Sequence, residues 1–326
     1  MTADINWLLS ENDWIAYRTK LDIIGEPIQE NQDKAAREDI LSHEIFEGLL
    51  KDLESWPGGV LKRHNDSSLL IHKLAFLADV GIKHTDGALP GIIKKIQSVT
   101  QDGVYPVLGN LPTMFGGSGE DELLWMLCDA PTILYALAKM GMNNDPAVIE
   151  GTHYLVGLQD ENGWRCKASS RLGGIGGPGK KGDPCPYANL LMLKLIAQFD
   201  IEEFSATADR GLEAILNLWR DQGTRKERMF GIGTDFRKPK APLVWFDIVH
   251  VLDVLSNYSQ IFDDNNFVQM LDEFEGMLDD AGRLTAQSMY RPWKEWEFSN
   301  KKEPSRWLTF LAYRILKRTG RLKLAQ

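Results

Sequence analysis

A thiol, a carboxylate and two lysines fall together where a glycine-rich loop runs directly into an apolar helical pattern. Lys180, Lys181, Asp183 and Cys185 occupy the end of that loop. A helix N-terminus carries free N–H groups and partial positive charge, so it favours anions and lowers the pKa of a thiol. These residue types predict a metal or phosphate site. The alternative is a surface loop with a half-buried cysteine.

Two nucleotide-binding motifs are excluded in the same loop. Gly174, Gly176 and Gly179 fit the pattern GxGxxG, and residues 174–181 fit a P-loop except for Lys181 at the last position. Both motifs require a buried strand immediately before them. The preceding sequence, WRCKASSR, is polar, so no nucleotide site is predicted.

The amino-acid composition excludes several classes of protein. The chain has 326 residues, 43% hydrophobic and 25% charged, enough to bury a core without cross-links. Its net charge of −9 argues against a general nucleic-acid-binding protein. Three cysteines, Cys128, Cys166 and Cys185, are too few for a disulfide framework. With neither a secretory signal pattern nor a membrane-length apolar run, we expect a cytoplasmic protein that does not span a membrane.

Four glycines recur at nearly equal steps along the chain. Gly103, Gly163, Gly223 and Gly282 are separated by 60, 60 and 59 residues, and each follows a helical pattern. We therefore expect each glycine to cap the C-terminus of a helix. A period of this length is typical of repeated helical hairpins.

Each repeat predicts one strongly apolar helix and one amphipathic helix. The apolar helices are predicted at 67–80, 130–140, 187–199, 243–258 and 305–318, and the amphipathic ones at 89–100, 146–159, 206–221 and 267–279. Further helices are predicted at 13–24 and 35–53. The apolar helix of each pair should lie inside and the amphipathic one outside. No alternating strand pattern is present, so we predict an all-α fold, stacked as an open solenoid or closed into a ring.

A segment of the second repeat resembles a known motif. Residues 151–164, with the sequence GTHYLVGLQDENGW, are similar to the repeat of terpenoid cyclases and protein prenyltransferases, and residues 90–105 are a looser copy. The resemblance covers about residues 67–318 and implies an α/α toroid, two concentric rings of helices around a cavity. One toroid domain is therefore expected. Its parts are N-terminal helices in 1–65, four quasi-repeats in 66–282, and a cover with the last helix in 283–326.

Within that superfamily the chain is most similar to the protein prenyltransferase β subunit. It lacks the Asp-x-Asp-Asp and Asp-Asp-x-x-Asp motifs of terpenoid cyclases. The resemblance implies that Asp183, Cys185 and His250 bind a catalytic zinc ion, with His250 on the next inner helix. Asp247 and Asp253 lie three residues either side of His250. Each is an alternative ligand, an acceptor that orients His250, or a charge on the helix surface. Without the resemblance, His250 is a histidine satisfied within the core.

The resemblance further implies an isoprenoid diphosphate as substrate. Zinc would deprotonate an acceptor thiol at its open position. Lys180 and Lys181 would bind the diphosphate, with Arg171 as the nearest substitute for a family arginine. The implied aromatic wall of the cavity is Tyr187, Trp164 and Trp245.

Other functions stay open at this point. A non-catalytic toroid that binds a hydrophobic small molecule is one alternative, and a cyclase-like or other zinc enzyme is another. The family's enzymes carry a separate helical subunit, which this sequence does not require.

The sequence also predicts the positions of two further groups of residues. Arg306, Arg314 and Arg318, in a basic stretch at 301–323, are expected on the outer face of the last helix, where the helix dipole favours cations. Contact of this face with an acidic membrane or a diphosphate is the functional alternative. Cys128 and Asp129 precede the helix predicted at 130–140, where we expect a packed thiol and an N-cap.

Overall fold

The fold is mainly α-helical, in agreement with the all-α prediction. A computed structural model describes residues 3–11, 13–27, 29–113, 117–169, 182–200, 202–222, 230 and 232–323. Its α-helices are α1 (Ile5–Leu8), α2 (Trp14–Arg18), α3 (Glu30–Leu41), α4 (Glu44–Leu53), α5 (Leu70–Val80), α6 (Leu89–Gln97), α7 (Ala130–Leu137), α8 (Pro146–Val156), α9 (Pro186–Ile196), α10 (Ser205–Arg220), α11 (Ile248–Leu255), α12 (Asn265–Glu275) and α13 (Arg306–Arg318). Single π-helical segments, Thr19–Ile24 and Ala138–Met142, extend α2 and α7.

The predicted division into fully buried and half-buried helices is confirmed. Every residue of α7, α9 and α11 is buried, as are nearly all residues of α5 and α13. By contrast, α6, α8, α10 and α12 bury one face only. Burial of an all-round apolar helix needs neighbours on every side, which the amphipathic helices help to supply.

The buried helices are neighbours in chain order. α5 packs on α7, α7 on α9, α9 on α11, and α11 on α13. α13 also contacts α2, and α2 contacts α5, so the order of contacts returns to the helix where it began. The N-termini of α7 and α9 lie at the candidate metal centre.

Gly103, Gly163 and Gly282 are not helix caps, so the prediction is wrong for these three, while Gly223 lies outside the described residues. α6 ends at Gln97 and α8 at Val156, several residues before Gly103 and Gly163. Both glycines instead close tight turns, with φ of +80° and +111°. At Gly103 and Gly163, the recurring glycine therefore marks a tight turn that follows an amphipathic helix, where a left-handed backbone favours glycine.

A small antiparallel sheet corrects the expectation of no strands. β1 (Val107–Asn110) pairs with β2 (Asp121–Leu124), with Val107 opposite Leu124. Four-residue strands are too short for an alternating pattern to stand out in the sequence.

The expectation of an outward-facing basic last helix is also wrong for two of its arginines. Arg314 is 2% exposed and pairs with Asp253 at 2.7 Å, while Arg306 is buried and pairs with Asp13 at 2.6 Å. Arg314 belongs to a buried charged layer at the C-terminal ends of the buried helices, which also holds Asp79. There the helix dipoles favour cations. Among the helices of the described residues, none combines the length and hydrophobicity that crossing a bilayer requires.

Candidate metal centre

The three cysteines of the chain meet at one place. The sulfur atoms of Cys128, Cys166 and Cys185 lie within 4.8 Å of one another. Cys128 and Cys185 are buried and Cys166 is half-buried. Across the described residues, this is the single group of three or more His, Cys, Asp or Glu side chains close enough to hold a metal ion.

Two irregular segments, 125–128 and 166–169, carry the first two cysteines. The N–H of Leu127 donates to the carbonyl oxygen of Lys167 at 3.0 Å, and a second bond of 2.9 Å runs from Ser169 to Trp125. These backbone bonds hold the segments side by side without forming a regular strand pair. Their side chains at positions 128 and 166 are thereby brought together.

Cys185 reaches the cluster from the N-terminus of α9. Its backbone is extended and Pro186 takes the first helical position, where a missing N–H costs no hydrogen bond. The N–H of Cys185 donates to the carbonyl oxygen of Trp164 at 2.7 Å. The side-chain amide of Asn189 donates to the carbonyl oxygens of both Trp164 and Cys185 at 2.8 Å. These bonds fix the start of α9 against the segment that leads to Cys166.

The three thiols differ in how readily they lose a proton. Hydrogen bonding with Cys128 and then Cys166 holds the pKa of Cys185 well below its usual range, and the N–H groups of Tyr187 and Ala188 act in the same direction. The pKa of Cys128 lies well above its usual range because hydrogen bonding with Cys166 and Cys185, and then burial, favour the thiol. For Cys166, hydrogen bonding with Cys128 lowers the pKa, but hydrogen bonding with Cys185, burial and nearby charge together raise it to about 12. Cys185 is therefore the most acidic of the three thiols.

A histidine–carboxylate pair adjoins the cysteines. Nδ1 of His64 lies 2.8 Å from Oδ1 of Asp129, the residue after Cys128. Burial lowers the pKa of His64, but the charge and hydrogen bond of Asp129, and the charge of Cys185, raise it above the usual value. The carboxylate assigns the proton to Nδ1 and leaves Nε2 for other chemistry. Asp129 occupies the N-cap position of α7 as predicted, but its side chain makes no capping bond to the helix.

Two of the predicted zinc ligands, Asp183 and His250, are not members of the three-cysteine group. Asp183, Cys185 and His250 do not form a group of ligand atoms within 4.8 Å in the part of the chain that the structure describes. His250 is buried, and its Nδ1 lies 3.0 Å from the carbonyl oxygen of Trp245. Its Nε2 has no hydrogen-bond partner among the described residues. Burial, and then the charge of Lys194, lower the pKa of His250 to about 3.

Asp247 caps α11 rather than orienting the ring of His250. Its Oδ1 accepts hydrogen bonds from the N–H groups of Val249 and His250, both at 3.1 Å. Burial raises the pKa of Asp247 to about 6, although Lys240, 4.0 Å away, opposes this. The imidazole is held instead by the Trp245 carbonyl group.

The remaining predicted site residues fall into two sets. Lys180, Lys181 and Arg171 lie outside the described residues. Trp164 is fully buried and donates from Nε1 to the carbonyl oxygen of Leu155 at 3.0 Å, as a core residue does. The other two aromatic residues are Tyr187 and Trp245.

Tyr187 and Trp245 form an aromatic surface at the start of α9. Their ring centroids are 4.5 Å apart, and Trp245 stacks on Phe230 at 5.3 Å. Tyr187 is fully buried and donates to the carbonyl oxygen of Val244 at 2.6 Å. Trp245 is half-buried and is the more accessible of the two.

Two cavities lie away from the sulfur atoms. One, of about 390 Å³, is lined by Asp183, Pro184, Pro186 and residues of α10. The other, of about 410 Å³, lies between the middle of α8, the segment before that helix, the end of α9 and the start of α10. None of the three cysteines lines either cavity.

Sequence reasoning missed Cys128, Cys166 and His64 as members of the site. One signal was available: Cys128 and Cys185 each precede an apolar helix that has a proline in its first turn. Equivalent helix starts in neighbouring hairpins lie at the same end of the stack. No known protein-family model matches the chain, and no curated protein matches it either.

Proposed function

We propose that the protein is an enzyme that binds one zinc ion through Cys128, Cys166 and Cys185. The mutual approach of the three sulfur atoms carries this proposal. Zinc–sulfur bonds of about 2.3 Å place tetrahedral sulfur ligands about 3.8 Å apart, a spacing these side chains reach through small shifts. Thiolate ligands select zinc, Cu(I) or iron–sulfur clusters over magnesium or calcium.

The α/α toroid remains the proposed arrangement of the helices. Two observations support it: the neighbour order of the buried helices returns to its start, and residues 151–164 resemble the toroid repeat. In a toroid the N-termini of α7 and α9 face one end of the central space, which is where Cys128 and Cys185 lie.

Three protein ligands leave one coordination position, as catalytic zinc sites do. When bound, zinc supplies a Lewis acid that lowers the pKa of a thiol or water at that position. We propose that His64 accepts the released proton on Nε2, since its Nδ1 is paired with Asp129. This pair gives the site a base that the three thiolates themselves do not provide.

The proposed reaction is transfer of an isoprenoid group from its diphosphate to a thiol. Three negatively charged sulfur ligands around one zinc ion leave a bound thiolate electron-rich, which suits attack on carbon. Trp245, whose half-buried ring packs on Tyr187, offers an aromatic contact for an isoprenoid chain. Lys180, Lys181 and Arg171 remain the proposed diphosphate ligands on the strength of the resemblance.

Metal analysis of four variants tests the ligand set. We expect about one zinc ion per chain in the wild type, and loss of zinc in Cys128→Ser and Cys166→Ser. Asp183→Asn and His250→Gln serve as matched controls and should keep zinc. Loss of zinc in Asp183→Asn and His250→Gln, with zinc kept in the two cysteine variants, would instead favour the predicted ligands. A wild type without metal would overturn the zinc proposal.

A binding comparison tests the substrate class. We expect an isoprenoid diphosphate to quench tryptophan fluorescence in the zinc-loaded protein, with the isoprenoid alcohol binding at least tenfold more weakly because it lacks the charged group. If the diphosphate and the alcohol bind equally well, with or without zinc, the result would favour a non-catalytic protein that binds hydrophobic molecules.

A further inference from the structure

We propose that the metal-free protein has a second activity: reduction of a small hydroperoxide, with formation of a Cys166–Cys185 disulfide. The inference uses the same three thiols as the zinc proposal but rests on their geometry alone. All three cysteines of the chain are in the cluster, so a thiol oxidised there has a partner within reach.

Cys185 is assigned as the attacking sulfur by its position. It occupies the N-cap position of α9, next to the free N–H groups of the first turn. Thiols at helix N-termini are stabilised as thiolates, which are the nucleophilic form. The sulfur atoms of Cys128 and Cys166 both lie within 4.8 Å of its own.

Cys166 is assigned as the partner because it is the less buried of the two neighbouring thiols. The sulfur atoms must close from at most 4.8 Å to a bond length of about 2.05 Å. Cys166 lies in an irregular segment and is half-buried, whereas Cys128 precedes α7 and is followed by Asp129, which His64 holds. The bond from the Cys185 N–H to the Trp164 carbonyl oxygen already places the two backbones side by side.

The chemistry balances with a hydroperoxide as the only co-reactant. The Cys185 thiolate attacks one peroxide oxygen, so an S–O bond forms, the O–O bond breaks, and the departing oxygen leaves as hydroxide or alkoxide and takes a proton. Cys166 then attacks the Cys185 sulfur, so the S–S bond forms and the S–O bond breaks. The Cys166 proton leaves with that oxygen as water. Two thiols lose two electrons, and the peroxide gains them.

The disulfide and the metal ion would exclude each other. Oxidation of Cys166 and Cys185 removes two of the three proposed ligands, and metal ligation requires free thiolates. Zinc should therefore protect the thiols, and oxidation should release zinc.

Peptide mapping of the full chain tests the proposal. Chelator-treated wild-type protein is mixed with hydrogen peroxide, and peptides are analysed without reduction. We expect a Cys166–Cys185 disulfide within each chain, one free thiol at Cys128, and the same disulfide in Cys128→Ser. In Cys166→Ser, we expect a sulfenic acid at Cys185 that a carbon nucleophile traps. Zinc-loaded protein should react at least tenfold more slowly.

Several results would overturn the proposal. These are no disulfide in the wild type, a bond that joins two chains, or a predominant Cys128–Cys185 bond. Because disulfide formation is tested in the wild type itself, the failure of a variant to fold does not change the conclusion. A wild type that forms the disulfide but binds no zinc would refute the zinc proposal alone, and the opposite result would refute the peroxide activity alone.

Discussion

Asn189 holds Trp164 by both of its backbone polar groups. Its Oδ1 accepts a hydrogen bond from the Trp164 N–H at 3.0 Å, and its Nδ2 donates to the Trp164 carbonyl oxygen at 2.8 Å. Asn189 is fully buried in α9, one turn after Cys185. The contact therefore ties the helix that carries Cys185 to the segment that carries Cys166.

Replacing Asn189 should weaken both the fold and the metal site. Asn189→Ala loses three buried hydrogen bonds, so we expect the free energy of unfolding to fall by about 2–4 kcal/mol. Zinc affinity should also fall, since Cys166 and Cys185 are no longer held in register. Asn162→Ala is the control, because Asn162 is exposed and makes one bond to Gly182. Chemical denaturation and zinc titration of both variants measure the effects; equal losses in the two would contradict this role for Asn189.

Gly163 is constrained by the same asparagine. A Cβ atom at Gly163 would lie 2.5 Å from Oδ1 of Asn189, whereas one at Gly103 meets nothing within 4 Å. Gly103→Ala should lower the free energy of unfolding by about 1–2 kcal/mol through backbone strain alone. Gly163→Ala should add about 2 kcal/mol to that, because the clash displaces Asn189 from its partners. Equal destabilisation of the two variants by denaturant would show that the clash is relieved without cost.

The sequence predicted the helices well because their apolar spacing is a local property. It also identified the start of α9, since Pro186 and the change from glycine-rich loop to apolar helix are both visible in the sequence. Cys185 was predicted as a site residue for that reason.

The other members of the site could not be predicted in the same way. Cys166 is brought to Cys128 by backbone bonds between two irregular segments, which leave no periodic pattern. His64 reaches Asp129 from 65 positions earlier in the chain. His250 was assigned by resemblance, and its register relative to Cys185 depends on packing that no local signal specifies.

The carboxylate of Asp129 should control the protonation of His64. In the zinc-free Asp129→Asn variant, burial still disfavours the imidazolium ion but the balancing charge is gone, so the pKa of His64 should fall. Asp66→Asn is the control, because Asp66 lies on the same segment but bonds to Ser68. Histidine ring resonances followed by NMR against pH measure the change. A His64 pKa that is the same in wild type and Asp129→Asn would refute the pairing.

Asp247 should make stability depend on pH. Burial raises its pKa in the folded state to about 6 from an ordinary value of 3.8. The protonated carboxyl thus favours the folded state below pH 3.8, and that contribution is lost as the pH rises through 6. Relative to Asp247→Asn, which keeps a capping oxygen, the wild type should lose up to about 3 kcal/mol of unfolding free energy between pH 4 and pH 7. Urea unfolding of both proteins at the two pH values tests this, and a difference that stays constant with pH would rule it out.

X-ray absorption at the zinc edge of the purified protein is the most direct test of zinc binding by the three cysteines, because it counts the sulfur atoms bound to the metal. We expect three sulfur ligands at about 2.3 Å and one lighter atom. Any zinc that Cys166→Ser retains should have one sulfur ligand fewer. A spectrum with a single sulfur ligand and mainly nitrogen and oxygen neighbours would contradict this expectation.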